Sequence, residues 1–156
     1  LAANKVRKDF IYVIDPKREN FAHYKGASLI KPNQREASEA LNRAIKTQME
    51  LDNAGALLLQ MWNAEAVLIS QGEGGMSLFR TNVPVSHFPT AGQEIFDVTG
   101  AGDTVIAMCA LCLGAGASPA VATILANRAA AIAVSKVGTA TVTRAEVKRA
   151  LKRDKL

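Results

Sequence analysis

Short apolar runs alternate with longer amphipathic stretches along this chain. The short runs predict buried strands at 10–14, 28–30, 66–70, 76–79 and 83–88. The longer stretches carry apolar residues at helical spacing or open with a capping residue, and they predict helices at 34–40, 49–61, 102–115, 119–136 and 144–154. Two helix starts are marked especially clearly, by Ser118 before Pro119 and by the capping-box pair Thr143 and Glu146.

Alternation of strands and helices indicates an α/β fold, with a mainly parallel sheet and helices on both of its faces. The expected exception is 76–79, which follows the glycine-rich turn 71–75 and should return as a hairpin partner of the preceding strand. No internal repeat, low-complexity tract or composition shift divides the sequence. Residues 1–156 are therefore expected to form one domain.

The composition suits a sheet covered by helices, because 49% of the residues are hydrophobic and only 5% are aromatic. No apolar run reaches the length of a membrane span and no signal peptide is visible, so a membrane partner is not expected. Cys109 and Cys112 lie in an apolar helical stretch and are expected to be buried core thiols. Free thiols fit a reducing compartment, which favours the cytoplasm.

The net charge of +5 is concentrated near the end of the chain. The basic residues there are Lys148, Arg149, Lys152, Arg153 and Lys155. No aromatic side chains are interleaved among them for base stacking, so a solvated helix face is favoured over a nucleic-acid site.

Candidate chemistry is concentrated in the octet from Asp97 to Thr104, which reads DVTGAGDT. Gly100, Ala101 and Gly102 carry almost no side chain, so the backbone can turn sharply and direct several N–H groups to one point. A helix that begins at about Gly102 adds its own free N–H groups and the positive end of its dipole, which favours phosphate. Asp103 lies at the rim, where a carboxylate can take a proton from a hydroxyl that attacks phosphorus. The alternative is an ordinary loop with an N-cap aspartate.

The octet closely resembles the D-T-x-G-A-G-D motif of the ribokinase-like (phosphofructokinase-B) carbohydrate kinases. Lys31-Pro32-Asn33-Gln34-Arg35-Glu36 resembles the K-P-N-x-x-E segment of the same family, and Ser70–Gly75 resembles its T/S-x-G-x-x-G turn. The resemblance implies a ribokinase-like three-layer αβα fold, ATP as phosphoryl donor and Mg²⁺ as cofactor. The pattern of P-loop kinases, Gly-Lys-Ser/Thr, is absent.

By this resemblance, Asp103 is the catalytic base and Gly100, Ala101 and Gly102 form the anion hole. Asp97 is placed near a cation or the phosphates. The alternative for Asp97 is a structural role, in which its carboxylate bonds backbone amides of the loop.

The resemblance also assigns the K-P-N-x-x-E residues. Asn33 and Glu36 would organise Mg²⁺ through its waters, and Lys31 would reach the nucleotide phosphates. The alternative is helix capping by Asn33 and Glu36, with Lys31 solvated.

The remaining implied contacts are to the nucleotide. Ser70, Gly72 and Gly75 would allow close approach of ribose and phosphates, although a plain hairpin turn is the alternative. Asn127 would lie beside the adenine, with Gly138 in the same wall; Asn127 could instead simply face solvent.

Four candidate segments directly follow predicted strands or open a helix, at 15–17, 31–36, 70–75 and 97–104. Ligands of open α/β sheets bind beyond the carboxyl ends of the strands. We therefore expect these four segments to converge.

Further stretches resemble the heptose-7-phosphate kinase branch of the family. They are Val13–Lys17, Phe21–Ala27, Leu29–Asn33 and Lys136–Val142. The implied reaction is transfer from ATP to the C1 hydroxyl of D-glycero-D-manno-heptose 7-phosphate, which gives the 1,7-bisphosphate used in ADP-heptose and lipopolysaccharide core synthesis. The alternatives are a fructose- or ribose-type kinase, or a catalytically incomplete nucleotide-binding fragment.

Complete kinases of the family also have an N-terminal half, with a lid and most of the sugar-binding residues. This sequence begins with Leu1 and lacks that half, so we expect a fragment whose partner is the missing half. The surface that would face it is expected to be apolar and to favour self-association, with a homodimer as one outcome. The isolated chain is expected to bind nucleotide weakly and to turn over little.

Overall fold

Five strands form one sheet in the computed structural model, which describes residues 10–91 and 97–153. The strands are β1 (Val13–Ile14), β2 (Leu29–Ile30), β3 (Ala66–Ser70), β4 (Met76–Arg80) and β5 (Val83–Phe88). The helices are α1 (Gln34–Leu41), α2 (Gln48–Met61), α3 (Ala101–Gly114), α4 (Pro119–Val134) and α5 (Arg144–Arg153). Asp154, the predicted end of the last helix, lies outside the described ranges.

The strands lie in chain order across the sheet, from β1 to β5. β1, β2 and β3 pair in parallel, whereas β3 with β4 and β4 with β5 pair antiparallel. The predicted hairpin is thus present, and it continues into β5. The described sheet is mixed, which corrects the expectation of a mainly parallel sheet: short connections after β3 and β4 leave no room for the crossover helix that parallel neighbours need.

Helices cover both faces of the sheet, which confirms the three-layer α/β architecture. On one face α1 and α2 pack against alternate strand residues, with Leu58, Val67 and Phe79 in the core cluster. On the other face α3 and α4 pack against the intervening residues, such as Leu68 and Leu78. This arrangement follows from the two-residue period of a strand, since β3 is buried on both sides.

The helices begin where the sequence predicts. Asn33 and Glu36 form a reciprocal capping box at the start of α1, and Thr47 and Glu50 form another at the start of α2. The Ser118 hydroxyl accepts from the amide of Val121 at 3.3 Å and caps α4. A short 3₁₀ helix at Arg18–His23 was not predicted, because its polar composition is typical of a loop.

Both cysteines are buried in α3, as the apolar pattern predicts. Burial raises the pKa of the Cys109 thiol to about 12, so this thiol is unreactive near neutral pH. Among the described helices, none combines the length and the apolar character needed to cross a membrane.

Truncation of Leu58 to alanine should destabilise the protein by about 2–5 kcal/mol, because this side chain is fully buried between α2 and the sheet. The matched control is Leu57→Ala on the same helix, where the side chain is 42% exposed and the cost should stay below about 1 kcal/mol. Urea unfolding followed by circular dichroism measures both; equal losses would contradict the described packing of α2.

Candidate functional site

The four segments named from the sequence converge at the carboxyl end of the parallel strands. Asn33, which follows β2, and Ser70, the last residue of β3, form a parallel bridge. Asp15, after β1, pairs with Lys31, after β2. The ammonium group of Lys31 lies 3.3 Å from where a Cβ atom on Gly102 would stand. Each contact joins two of the predicted segments, as the rule for carboxyl ends of strands requires.

The start of α3 presents backbone N–H donors at this end of the sheet. Gly100 has a φ of 78° and forms the N-cap, a conformation that favours glycine. The amide of Ala101 donates to the carbonyl of Val98 at 3.2 Å, so this member of the predicted anion hole is already engaged. Within residues 10–91 and 97–153, the amides of Gly102 and Asp103 have no backbone acceptor. These two N–H groups and the helix dipole form the part of the site suited to an anion.

Asp103 lies in the first turn of α3 with its side chain exposed. A carboxylate in this position can accept a proton from a bound hydroxyl, whereas a carboxylate inside the core could not meet one. The position therefore meets the geometric requirement for a general base at the rim of the anion site.

Lys31 is 4% exposed, and its ammonium group is 2.9 Å from a carboxylate oxygen of Asp15. The other Asp15 oxygen is 2.7 Å from the ammonium group of Lys17. Burial alone would raise the pKa of Asp15, but the hydrogen bonds from Lys17 and Lys31 outweigh burial and lower the pKa below its ordinary value. Lys31 is thus not solvated, as one alternative had it, but is held in place below Gly102.

Lys17 extends this charged group toward the rim. Its pKa is raised, first by the hydrogen bond with Asp15 and further by the nearby charges of Glu36 and Asp103. Lys17 and Lys31 therefore share the carboxylate of Asp15, and Lys17 lies close enough to Glu36 and Asp103 to be affected by their charges. Sequence reasoning marked the segment 15–17 but gave Asp15 no role, although its place directly after a strand is the same signal that marked Lys31.

Asn33 and Glu36 occupy the first turn of α1, and their side chains cap the helix. Asn33 Oδ1 accepts from the amide of Glu36 at 2.8 Å, and Glu36 Oε2 accepts from the amide of Asn33 at 2.8 Å. This capping is the alternative considered for the pair, and it also fixes the direction of the second Glu36 oxygen. Among the described residues, no three or more His, Cys, Asp or Glu side chains cluster as metal ligands.

A pocket of about 250 Å³ opens between the turn after β3 and the helices α3 and α4. Its lining includes four residues predicted to contact nucleotide and two from the start of α3: Ser70, Gly72, Gly75, Asn127, Ala101 and Gly102. The rest of the wall is largely apolar and includes Met76, Val98, Val105 and Val134. Such a wall suits a flat ring, and the sequence carries no special signal for it because these residues look like ordinary core.

The segment after β5 closes one side of the pocket, and we call residues 89–91 the strap. The Asn127 side-chain amide donates to the carbonyl of Pro89 at 2.7 Å, and the Thr90 hydroxyl donates to the carbonyl of Glu73 at 2.7 Å. Gly75 has a φ of 84° and packs so closely below the strap that a Cβ atom would overlap the carbonyl oxygen of Phe88. Asn127 therefore braces the strap as well as lining the pocket, and the strap itself was missed from the sequence.

Asp97 and Gly138 form a separate link beside the start of α3. Asp97 accepts from the amide of Thr99 at 2.9 Å and from the amide of Gly138 at 3.1 Å. Hydrogen bonds from Thr99 and, less strongly, from Gly138 lower the pKa of the Asp97 carboxyl. This geometry is the structural alternative named for Asp97. Gly138 is not part of the pocket lining; it lies behind the loop that leads into α3.

The loop with Gly138 is anchored on its far side. Lys136 donates to the carbonyl of Thr141 at 2.7 Å and pairs with Glu146 of α5 at 2.8 Å. The Thr143 hydroxyl and amide also bond Glu146, which confirms the predicted capping box. These contacts, led by the hydrogen bond from Lys136, lower the pKa of Glu146 to about 2.

Comparison with known proteins decides the family. The model of the pfkB family carbohydrate kinases matches residues 2–146, which is most of the chain. The chain belongs to the pfkB family of carbohydrate kinases.

Relatives of this pfkB-family chain include two proteins named "Bifunctional protein HldE". The protein from Desulfatibacillum aliphaticivorans is 48% identical over 139 residues, which cover 89% of this chain and 28% of that protein. The protein from Geobacter metallireducens is 49% identical over 135 residues, which cover 86% of this chain and 28% of that protein. The chain therefore spans little more than a quarter of the length of these curated relatives.

Solved kinases share the fold. A ribokinase from Thermotoga maritima superposes with a TM-score of 0.78 at 26% identity, over 94% of this chain and 50% of that chain. Phosphofructokinase-2 from Escherichia coli superposes with a TM-score of 0.85 at 20% identity, over 99% of this chain and 50% of that chain. The ribokinase-like fold expected from the motifs is thus confirmed, and the pfkB-family chain corresponds to half of each solved kinase.

Replacement of Gly75 by alanine should unfold the strap or destabilise the protein by roughly 2 kcal/mol or more, because the new methyl group meets backbone atoms and the φ is positive. Gly72→Ala is the matched control, since Gly72 also has a positive φ of 58° but has nothing within 4 Å of the Cβ position; it should cost about 1–2 kcal/mol. Urea denaturation gives both values. A Gly75 variant as stable as the Gly72 variant would rule out the close packing below the strap.

Removal of the Glu146 charge by Glu146→Gln should lower stability at pH 7. Because the folded pKa of about 2 lies below the ordinary value of 4.5, the contribution is complete above pH 4.5 and is lost as the pH falls toward 2. Unfolding midpoints in urea should therefore differ between wild type and variant at pH 7 and coincide near pH 2. Glu19→Gln, at an exposed 3₁₀ position, serves as the control and should show no such convergence. A gap that stays constant with pH would contradict the ion pair with Lys136.

Proposed function

We propose that this chain is the nucleotide-binding and phosphoryl-transfer part of an ATP-dependent sugar kinase. The observation that carries the proposal is the position of Asp103: it is exposed in the first turn of α3, beside two backbone amides without a backbone acceptor among the described residues. A phosphoryl group held at those amides would lie within reach of a base that can deprotonate the attacking hydroxyl.

Asp103 is assigned as the base. Its carboxylate takes the proton from the acceptor hydroxyl as the bond to phosphorus forms, so the alcohol attacks as a stronger nucleophile. Membership of the pfkB family supports this reaction class, since the acceptor of a carbohydrate kinase is a sugar hydroxyl.

The amides of Gly102 and Asp103 and the ammonium group of Lys31 are assigned to charge stabilisation. Negative charge on the equatorial phosphoryl oxygens is stabilised best by donors fixed before the reaction. Lys31 meets this requirement because Asp15 and its buried setting hold it against Gly102. Asp15 is thus proposed to orient Lys31 and not to touch substrate.

ATP is assigned to the pocket beside α3, with its base against the apolar wall and its phosphates toward Gly102. The cavity volume of about 250 Å³ is slightly below the roughly 300–1,000 Å³ usual for ligand sites, so the phosphates would extend beyond it. Thr90 and Asn127 hold the strap that forms one wall. We propose that Ser70, Gly72 and Gly75 allow the close approach of ribose.

The residues at the start of α1 fit Mg²⁺. Asn33 and Glu36 offer oxygen donors held rigidly by reciprocal capping, and Mg²⁺ usually keeps several waters and binds through one or two protein groups and phosphates. The chemistry that Mg²⁺ supplies when bound is neutralisation of phosphate charge. Glu36 would hold it through water, by the oxygen that does not cap the helix. For Asp97 a metal role is not favoured, since both of its oxygens bond amides.

The sugar is proposed to be D-glycero-D-manno-heptose 7-phosphate, phosphorylated at C1. The relatives named HldE, at 48% and 49% identity, and the heptose-type stretches around Asp15 and Lys136 support this substrate. In that case the product enters ADP-heptose and lipopolysaccharide core synthesis in the cytoplasm. A substrate panel that includes fructose 6-phosphate and ribose separates this proposal from the other kinases of the family.

The rest of the kinase domain is proposed to pack against the β1 edge. β1 is the first strand of the sheet, and the three side chains directly before it are exposed, with Phe10 at 61%, Ile11 at 49% and Tyr12 at 44%. The solved kinases are about twice as long as this chain. Without that half, the apolar edge favours self-association, so a homodimer is proposed for the isolated chain.

The test of the proposed chemistry is Asp103→Asn in a complete kinase domain that contains this chain. Turnover with ATP and heptose 7-phosphate should fall about 10²–10⁴-fold, because the amide cannot accept the proton. Calorimetry should show ATP affinity within about twofold of wild type, since Asp103 does not line the nucleotide pocket. Glu65→Gln, an exposed substitution before β3 and away from Ser70, is the control and should leave turnover unchanged. Full turnover in the Asp103 variant would refute the assignment.

A further inference from the structure

A connected set of polar side chains lies in the sheet face that α2 covers. Ser77 of β4 is fully buried, and it shares this face with Phe79, two residues further along the strand. Its hydroxyl donates to Oε1 of Gln71 at 2.8 Å and lies 2.9 Å from Nδ1 of His87 on β5. A hydroxyl this deeply buried lowers the stability of the fold unless it is hydrogen-bonded. Here Gln71 and His87 both offer a hydrogen-bonding group to it.

The hydroxyl proton of Ser77 can be assigned to one partner. Ser77 has a single hydroxyl proton, and that proton goes to the carbonyl oxygen of Gln71. The Ser77 oxygen can then accept from Nδ1 of His87 in the ring state that carries a proton on that nitrogen. Across the ring, Nε2 of His87 faces Asp52 of α2 at 3.7 Å. The imidazole thus lies between the helix and the buried serine.

Asp52 is itself fixed. The Gln48 side chain donates to Asp52 at 2.9 Å from the first turn of α2 and lies 3.4 Å from Nδ1 of His87. The set runs from α2 through His87 and Ser77 to Gln71, and it ends at the turn that follows β3.

Gln71 is the residue on which that turn closes. The backbone amide of Gln71 donates to the carbonyl of Gly75 at 2.8 Å, and its backbone carbonyl accepts from the amide of Gly74 at 3.1 Å. A Cβ atom on Gly74 would lie 3.2 Å from Cβ of Gln71, so the backbone packs tightly on this side chain. Any displacement of Gln71 would therefore move Gly72 and Gly75, which line the pocket.

We propose that Ser77 is a positioning residue for nucleotide binding, which acts through Gln71 and is held by His87. The turn 71–75 is held by two hydrogen bonds, one from the Thr90 hydroxyl to the carbonyl of Glu73 and one from the Ser77 hydroxyl to the side chain of Gln71. Both hydrogen bonds are needed to keep the shape of the pocket wall. Ser77 touches no nucleotide in this arrangement. The inference rests on the proposed assignment of ATP to the pocket, but the shape of the turn can be measured without nucleotide.

The first measurement is amide hydrogen exchange in the full 156-residue chain without nucleotide. Ser77→Ala and Gln71→Met should each speed exchange at Gly74 and Gly75 about tenfold, since each removes the hydrogen bond that joins the turn to β4. The double variant should be no faster than either single variant, because both remove the same bond. Ser86→Ala on β5 is the matched control, since Ser86 bonds only weakly, at 3.5 Å from Arg80. Unchanged exchange in the Ser77 and Gln71 variants would overturn the proposal.

The second measurement is an ATP titration of the same variants, followed by NMR so that weak binding is measurable. The dissociation constant should rise about tenfold in Ser77→Ala and Gln71→Met and stay unchanged in Ser86→Ala. If wild type binds and the Ser77 variant binds equally well, the positioning role is refuted while the nucleotide assignment stands. If wild type shows no ATP-dependent shift at the pocket, the proposed function fails, and with it the role of Ser77 in nucleotide binding.

Discussion

A buried ammonium group sets the geometry of this site. Lys31 is 4% exposed, and a charge at that depth is stable only beside a partner, which Asp15 supplies from the neighbouring strand. The pair locks the ends of β1 and β2 together and leaves the ammonium group against Gly102. Any larger residue at that position would crowd the cation. The ion pair between Lys31 and Asp15 thus positions the ends of the two parallel strands. It also favours glycine at position 102, in the first turn of α3.

The mixed sheet divides the site into two sides. On the parallel side, charged residues follow β1 and β2 and face the start of α3. On the antiparallel side, β3, β4 and β5 supply a turn and a strap that enclose an apolar pocket. Charge and apolar wall meet at Gly102, where the proposed phosphates would lie. This separation keeps the cations close to anionic groups and leaves the wall that is proposed to bind the ring largely apolar, with Glu73 as the charged residue among its described lining.

The sequence predicted the elements well because local signals were strong: capping boxes at Asn33 and Thr143, and a buried run at 66–70. The convergence of strand ends followed from general topology. The strap could not be predicted, because its bonds join Asn127 and Thr90 to carbonyl oxygens, which any residue has. The engagement of the Ala101 amide and the bonding of Asp97 by Gly138 likewise depend on loop geometry that composition does not encode.

The strap is fastened to main-chain oxygens. Asn127 and Thr90 bind the carbonyl groups of Pro89 and Glu73, and neither bond uses the side chain of the residue that accepts it. These bonds therefore place no chemical demand on the identity of residues 73 and 89. Side chains at these two positions can therefore change, and with them the polarity around the mouth of the cavity, without loss of either hydrogen bond.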